Sequence, residues 1–213
     1  MLLRERIVIS ILFSVAILSF VDILTPQGNI FWERYIGFPG RYAITQGAKV
    51  GYVNGRCRLV IAPRFDQGAS YFKDGLSPVL TSGRWGYINA DGRWAIPAKF
   101  LWAGEFKEGR AAVFVPSVER SGLLKYGFID TRGELIIPAI YARVHDFFEG
   151  AAAVMSAGVW GFINLDGQWL NAQRYEDAKD FAEGLAAAKE KGLWGFVDRS
   201  GIFLIMPQFE DVK

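Results

Sequence analysis

The stretch Trp194-Gly195-Phe196-Val197-Asp198 occurs, with small changes, four more times in this chain. The other copies read Val50-Gly51-Tyr52-Val53-Asn54, Trp85-Gly86-Tyr87-Ile88-Asn89, Tyr126-Gly127-Phe128-Ile129-Asp130 and Trp160-Gly161-Phe162-Ile163-Asn164. Their glycines stand 35, 41, 34 and 34 residues apart. Self-similarity at a nearly constant period means a repeat architecture, in which each unit buries its apolar face only against its neighbours.

Outward from the signature, further columns fall into register. An opening glycine precedes the signature glycine by 11 residues at Gly40, Gly75, Gly150 and Gly184, and by 18 at Gly109. A seven-residue insertion in the third unit therefore accounts for the single long period. Each opening glycine starts a short segment with a small residue three places on, read as strand A. A turn at Gly47, Gly83, Gly122, Gly158 or Gly192 leads into the signature, strand B. A glycine inside a strand marks close approach by another group, so the signature glycines are expected to lie under something laid on them by a neighbouring unit. A hairpin at Gly55, Gly92, Gly133, Gly167 or Gly201 follows, and then strand C. Strand C is expected to stop at Pro63, Pro97, Pro138 or Pro207, because proline cannot donate to a ladder; Ala172 breaks this column in the fourth unit. Recurring aromatics in the link (Phe65, Phe100, Tyr141, Tyr175 and Phe209, then Phe72, Phe106, Phe147 and Phe181) are expected to plug it onto the sheet.

The combination of Trp-Gly-Tyr/Phe-Ile-Asp/Asn, a glycine turn, Ile-Pro, and then Phe with Glu-Gly-Leu/Ala-Ala resembles the WG (KWG) repeat family of bacterial proteins. Phe181 through Asp198 fits most closely, and Val50 in place of tryptophan departs most. The resemblance spans about residues 40 to 213. It implies a β-repeat binding or scaffolding module with no defined active site, and so carries over no catalytic residue.

The expected fold is all-β: five tandem three-stranded antiparallel meanders over residues 40–213, in a propeller-like or superhelical array. Residues 1–25 read as a membrane anchor or signal segment and 26–39 as a linker holding Phe31, Trp32, Tyr35 and Phe38. Arg4 and Arg6 precede an apolar run from Ile7 to Leu24 without a small-residue cleavage site, which favours an uncleaved transmembrane helix over a cleaved signal peptide. The positive-inside bias would then place the repeats outside the cytoplasm.

Formal net charge is +2 and no basic stripe appears, so the electrostatic footprint of a nucleic-acid binder is missing. One cysteine, Cys57, and one histidine, His145, cannot build a Cys/His metal cage, and no cofactor is expected. The Asn54, Asn89, Asp130, Asn164 and Asp198 column reads as turn capping rather than as metal ligands. The Asp74, Glu108, Glu149 and Glu183 column reads as solvated turn residues; glycoside hydrolysis by two of them is the alternative. His145, beside Asp146, reads as a surface link residue.

The copies disagree at two places, where partner binding is sought. One is the insertion, with Val115, Pro116, Glu119 and Arg120; the other is the set of tryptophans outside the signature, Trp94, Trp102 and Trp169. Exposed tryptophans offer a platform to sugar rings or to a partner's apolar patch. The expected function is a non-enzymatic module at the cell envelope that binds a protein or glycan, with a structural spacer as the alternative.

Overall fold

The computed structural model describes residues 40–117, 119 and 122–212. The expected anchor and linker, and Arg120, lie outside them. Five antiparallel sheets follow one another along the chain. Sheet one is β1 (Arg41–Gln46), β2 (Lys49–Asn54) and β3 (Leu59–Phe65). Sheet two is β4 (Gln67–Gly68), β5 (Leu76–Thr81), β6 (Arg84–Asn89) and β7 (Trp94–Phe100). Sheet three is β8 (Trp102–Ala103), β9 (Ala111–Pro116), β10 (Leu124–Ile129) and β11 (Leu135–Tyr141). Sheet four is β12 (Arg143–Val144), β13 (Ala151–Ser156) and β14 (Val159–Asn164). Sheet five is β15 (Asp177–Ala182), β16 (Leu185–Glu190), β17 (Leu193–Val197) and β18 (Phe203–Phe209). No helix among the described residues is long and apolar enough to cross a membrane.

The strands A, B and C of the sequence reading are present, but the expected three-stranded meander is incomplete. The link leaving each strand C contributes a further strand (β4, β8, β12 or β15) to the edge of the next sheet, so that neighbours share chain as well as contacts. At two residues each, β4, β8 and β12 are too short to show a period in the sequence, whereas β15 has six.

Turn chemistry sets the register. In Gln46–Lys49, Thr81–Arg84, Ser156–Val159 and Glu190–Leu193 the strands close over two residues that both have positive φ, such as Ser82 at 49° and Gly83 at 74°. This is the primed turn whose twist matches a hairpin. At the other end, the Asn/Asp side chain closes the B–C turn. Asn89 Oδ1 accepts the N–H groups of Asp91 and Arg93, and Asn54, Asp130, Asn164 and Asp198 do the same two and four residues on. In sheet one the positive φ of that turn falls on Cys57 (55°), not on Gly55.

Two other expectations are corrected. Strand C does not stop at proline: β3, β7, β11 and β18 run through Pro63, Pro97, Pro138 and Pro207. Each has a register shift against strand B, and a bulged edge strand tolerates a residue without an N–H. The signature glycine also lies under its own strand C rather than under a neighbour. A Cβ on Gly86 would stand 2.6 Å from Ala98 N and 2.7 Å from Ile96 O, and Gly51, Gly127 and Gly195 face the same backbone.

Sheet four is the exception. Without the proline its strand C is irregular, making only isolated bridges at Ile163–Trp169 and Trp160–Tyr175. There the Trp169 ring and the Arg174 side chain, rather than backbone, lie over Gly161.

The core is divided among the junctions between sheets. Ile61 and Phe65 of sheet one pack with Val79 and Ile88 of sheet two. Ile96 and Phe100 pack with Val113 and Ile129, and Ile137 and Tyr141 with Val154 and Ile163. The link aromatics Phe106, Phe147 and Phe181 are buried as expected, whereas Phe209 is exposed.

Candidate functional site

The strand registers sort the candidate residues into two groups at opposite ends of the sheets. Trp94 pairs with Ile88 and Trp169 with Ile163, both beside the B–C turn. Trp102 pairs with Phe114 on β9, beside the A–B hairpin of sheet three. The three tryptophans therefore do not form one platform, although each is about equally exposed at 40–42%.

Trp94 and Trp169 work at junctions. Trp94 meets Phe65 edge-on at 5.8 Å and Trp169 meets Tyr141 at 6.2 Å, each across the boundary to the preceding sheet. The Arg174 guanidinium lies 3.7 Å from the Trp169 ring centroid and covers one of its faces. A cation over an indole face is a stabilising contact, so much of this ring is already engaged.

Trp102 stands in a different setting. Its ring meets Tyr126 edge-on at 5.7 Å, and Tyr126 meets Phe114 at 4.7 Å. The same hairpin carries Val115 and Pro116 at the end of β9, paired with Lys125 and Leu124. Beyond them Ser117 N–H donates to Leu123 O, and Glu119 N–H donates to Ser117 Oγ. Leu123 and Leu124 are exposed. The insertion thus brings Trp102, Val115, Pro116 and Glu119 to one end of sheet three, with apolar surface beside them.

Trp102 also borders a cavity of about 320 Å³ shared with Pro78, Trp85, Glu105 and Asp146. Neither carboxylate has a hydrogen-bond partner among the described residues. Burial pushes the Asp146 carboxyl above its ordinary range, the Asp180 and Glu105 charges push it further, and Lys107 opposes them. Two indoles and two carboxylates suit a ligand with a flat apolar face and outward donors, such as a sugar ring or a cationic side chain. From sequence Trp85 reads only as a signature residue and Asp146 only as the neighbour of His145, and Glu105 carries no reading of its own. The only sequence signal for the carboxylates is that each precedes a link phenylalanine, Phe106 or Phe147.

The other charged columns are committed elsewhere. Asp74 accepts Gly109 N–H, Glu108 accepts Gly150 N–H, and Glu149 accepts those of Glu183 and Gly184. Each of these carboxylates is an exposed turn residue, as expected, and in addition clasps the turn of the next sheet. His145 is paired with Asp180 of sheet five at 2.8 Å rather than with its neighbour Asp146, and packs edge-on against Trp160. The hydrogen bond to Asp180 raises the His145 pKa above its ordinary value, against the effect of burial. No group of three or more His, Cys, Asp or Glu among the described residues is placed to hold a metal ion.

Comparison with known proteins bears on the family and the fold. The model of the WG containing repeat matches residues 51–85, 85–115, 126–159 and 160–194. Its one internal gap coincides with the long hairpin of sheet three. No curated protein matches. Among solved structures, one described as the crystal structure of the eukaryotic initiation factor aligns with a TM-score of 0.51 and 14% identity, over 82% of this chain and 53% of that one. This chain therefore spans about half of that structure, and at such identity the likeness concerns the fold alone. A protein of unknown function from Bacteroides caccae aligns with a TM-score of 0.38 and 16% identity, over 78% of this chain and 71% of that one.

Proposed function

The chain belongs to the WG-containing repeat family, and from that premise we propose that it is a non-enzymatic binding module whose ligand seat is the hairpin end of sheet three. The carrying observation is that Trp102 lies between the inserted hairpin, where the family match is interrupted, and the cavity with Glu105 and Asp146, whose carboxylates accept no hydrogen bond among the described residues. The partner is a protein or glycan of the cell envelope that offers a flat apolar group and donors. The five sheets are read as five copies of one repeat, stacked as an open array. Arg4, Arg6 and the apolar run Ile7–Leu24 support a membrane anchor with the repeats outside the cytoplasm.

The test is capture of cross-linked partners from solubilised envelope, with isolated glycans as a second bait. Trp102→Ala and Glu105→Gln should each abolish capture, while Trp94→Ala should leave it intact. Equal capture by all variants would sink the assignment to this end. A second reading, a spacer holding other components apart, draws support from the carboxylate clasps, which tie sheets two, three and four each to the next. It expects all three substitutions to be silent in a functional assay and removal of a whole sheet to be disruptive.

A further inference from the structure

The link strands β4, β8, β12 and β15 set two columns of side chains beside the signature strands. Gly68 faces Val79, Ala103 faces Val113, Val144 faces Val154 and Ala178 faces Ala188. The residues that follow them are Ala69, Gly104, His145 and Lys179, and the next are Ser70, Glu105, Asp146 and Asp180. In sheets four and five the first column is basic and lies against the signature tryptophan. The His145 ring meets Trp160 edge-on at 5.0 Å, and Lys179 Nζ stands 5.4 Å from the Trp194 ring centroid. His145 also holds Asp180, the acid of the following link, at 2.8 Å. One basic side chain thus joins an indole to the carboxylate of the next sheet.

In sheets two and three that side chain is missing, because the column holds Ala69 and Gly104. The acids of the following links, Glu105 and Asp146, are still there. The cavity of about 320 Å³ opens at this place, lined by Ala69, Gly104, Trp85, Trp102 and both carboxylates. Lys107, whose charge reaches Asp146, stands instead 5.0 Å from the Phe148 ring centroid. Among the described residues neither carboxylate forms an ion pair, and no cation covers the ring of Trp85 or Trp102.

Chemistry and size select the occupant. Ionised carboxylates only accept hydrogen bonds and a basic side chain only donates them, whereas a neutral sugar brings acceptors that these acids cannot serve. Ligand pockets run from roughly 300 to 1,000 Å³, so this one suits a single side chain better than an oligosaccharide. A guanidinium is planar, stacks on an indole and carries five N–H donors, enough for acids on two sheets. The chain makes such a stack itself at Trp169, where the Arg174 guanidinium lies 3.7 Å from the ring centroid.

We propose that this cavity binds an arginine side chain of a protein partner. Its guanidinium takes the position that His145 and Lys179 fill in sheets four and five, and pairs with Glu105 and Asp146. The proposal rests on the ligand seat described above and narrows its partner to a protein.

The probes are N-acetyl-arginine methylamide and its neutral near-isostere N-acetyl-citrulline methylamide. Each is titrated into the full chain in detergent solution while the indole N–H resonances of Trp85 and Trp102 are followed. The arginine probe should shift both resonances and bind about tenfold more tightly than the citrulline probe, because its hydrogen bonds are charge-assisted. Glu105→Gln and Asp146→Asn, close in shape to the native residues, should each weaken it by about tenfold. Ala69→Lys supplies the missing basic side chain from within and should abolish binding, with an unchanged or raised urea midpoint showing that the fold is kept. Equal affinities for the two probes, or arginine binding that neither acid substitution weakens, overturns the proposal. Tighter binding of methyl glucoside than of the arginine probe overturns it in favour of a sugar. If the arginine probe fails while envelope capture still depends on Trp102, the arginine reading falls and the seat stands. Capture that ignores Trp102 removes the seat, and with it the partner named here.

Discussion

Sheets two and four carry the same signature, Trp-Gly-aromatic-Ile-Asn, yet they cover its glycine in different ways. Over Gly86 runs the bulged backbone of β7, with Ala98 N and Ile96 O where a Cβ would go. Over Gly161 lie the far end of the Trp169 ring and the Arg174 side chain, because Ala172 has replaced the proline and strand C has lost its regular pairing. One sequence column thus serves two physical needs, contact with rigid backbone and contact with movable side chains. A repeat can lose its third strand when an aromatic ring and a cation fill the space.

The largest expected effect breaks the comparison at the glycines. Gly86→Ala should cost about 3 kcal/mol, the upper part of the overpacking range, because neither backbone partner can retreat. Gly161→Ala should cost about 1 kcal/mol, since Trp169 and Arg174 can shift by rotation. Urea midpoints of the two variants read the difference, and equal losses would show that sheet four is as rigid as sheet two.

The signature's third position comes next. Tyr87 Oη donates to Gly104 O at 2.7 Å, across to the link of sheet three, whereas sheet four has Phe162 there and no such bond. Tyr87→Phe should cost about 1 kcal/mol by leaving a carbonyl without its partner, measured by the same denaturation.

Clasps differ more subtly. Asp74 receives one backbone N–H from sheet three, and Glu149 receives two from sheet five. Both are solvent-exposed, so Glu149→Ala should cost about 1 kcal/mol and Asp74→Ala about half that. A reversed order would mean that the clasps do not hold the sheets together.

The smallest effect is a pH dependence confined to the sheet four junction. His145 holds its proton more tightly in the fold than in the unfolded chain, chiefly through the Asp180 hydrogen bond. That stabilisation is complete below the ordinary histidine value of about 6.5 and is lost as pH rises through the raised folded value. Stability should therefore fall on going from about pH 6 to pH 8, and His145→Gln should flatten the slope. Gly104 takes the same link column before sheet three, so that junction should show no such slope.

Much of this was readable before any coordinate. The signature, the glycine turns and the Asn/Asp column identify strands A, B and C, because period and turn chemistry are local properties of a chain. The capping role of Asn89 and its counterparts follows from the same locality, since its partners lie two and four residues away. Disagreement between copies also singled out the third hairpin, where the structure places Trp102 at the same end of sheet three as Val115 and Pro116.

Relations between units were not readable. The first strand of sheets two to five is lent by the preceding link, and three of the four such strands, at two residues each, have no period to detect. Asp74 and Glu108 look like solvated turn residues because their partners lie 35 and 42 residues away. Trp94 and Trp169 each stand two residues after a turn glycine, an offset that already groups them apart from Trp102, but only strand register shows that they lie at the opposite end of the sheets from it. By itself the sequence determined the repeat, its turns and the place where it is interrupted. Tertiary structure decided what lies over each glycine and which carboxylates are clasped, because those depend on groups brought together from distant parts of the chain.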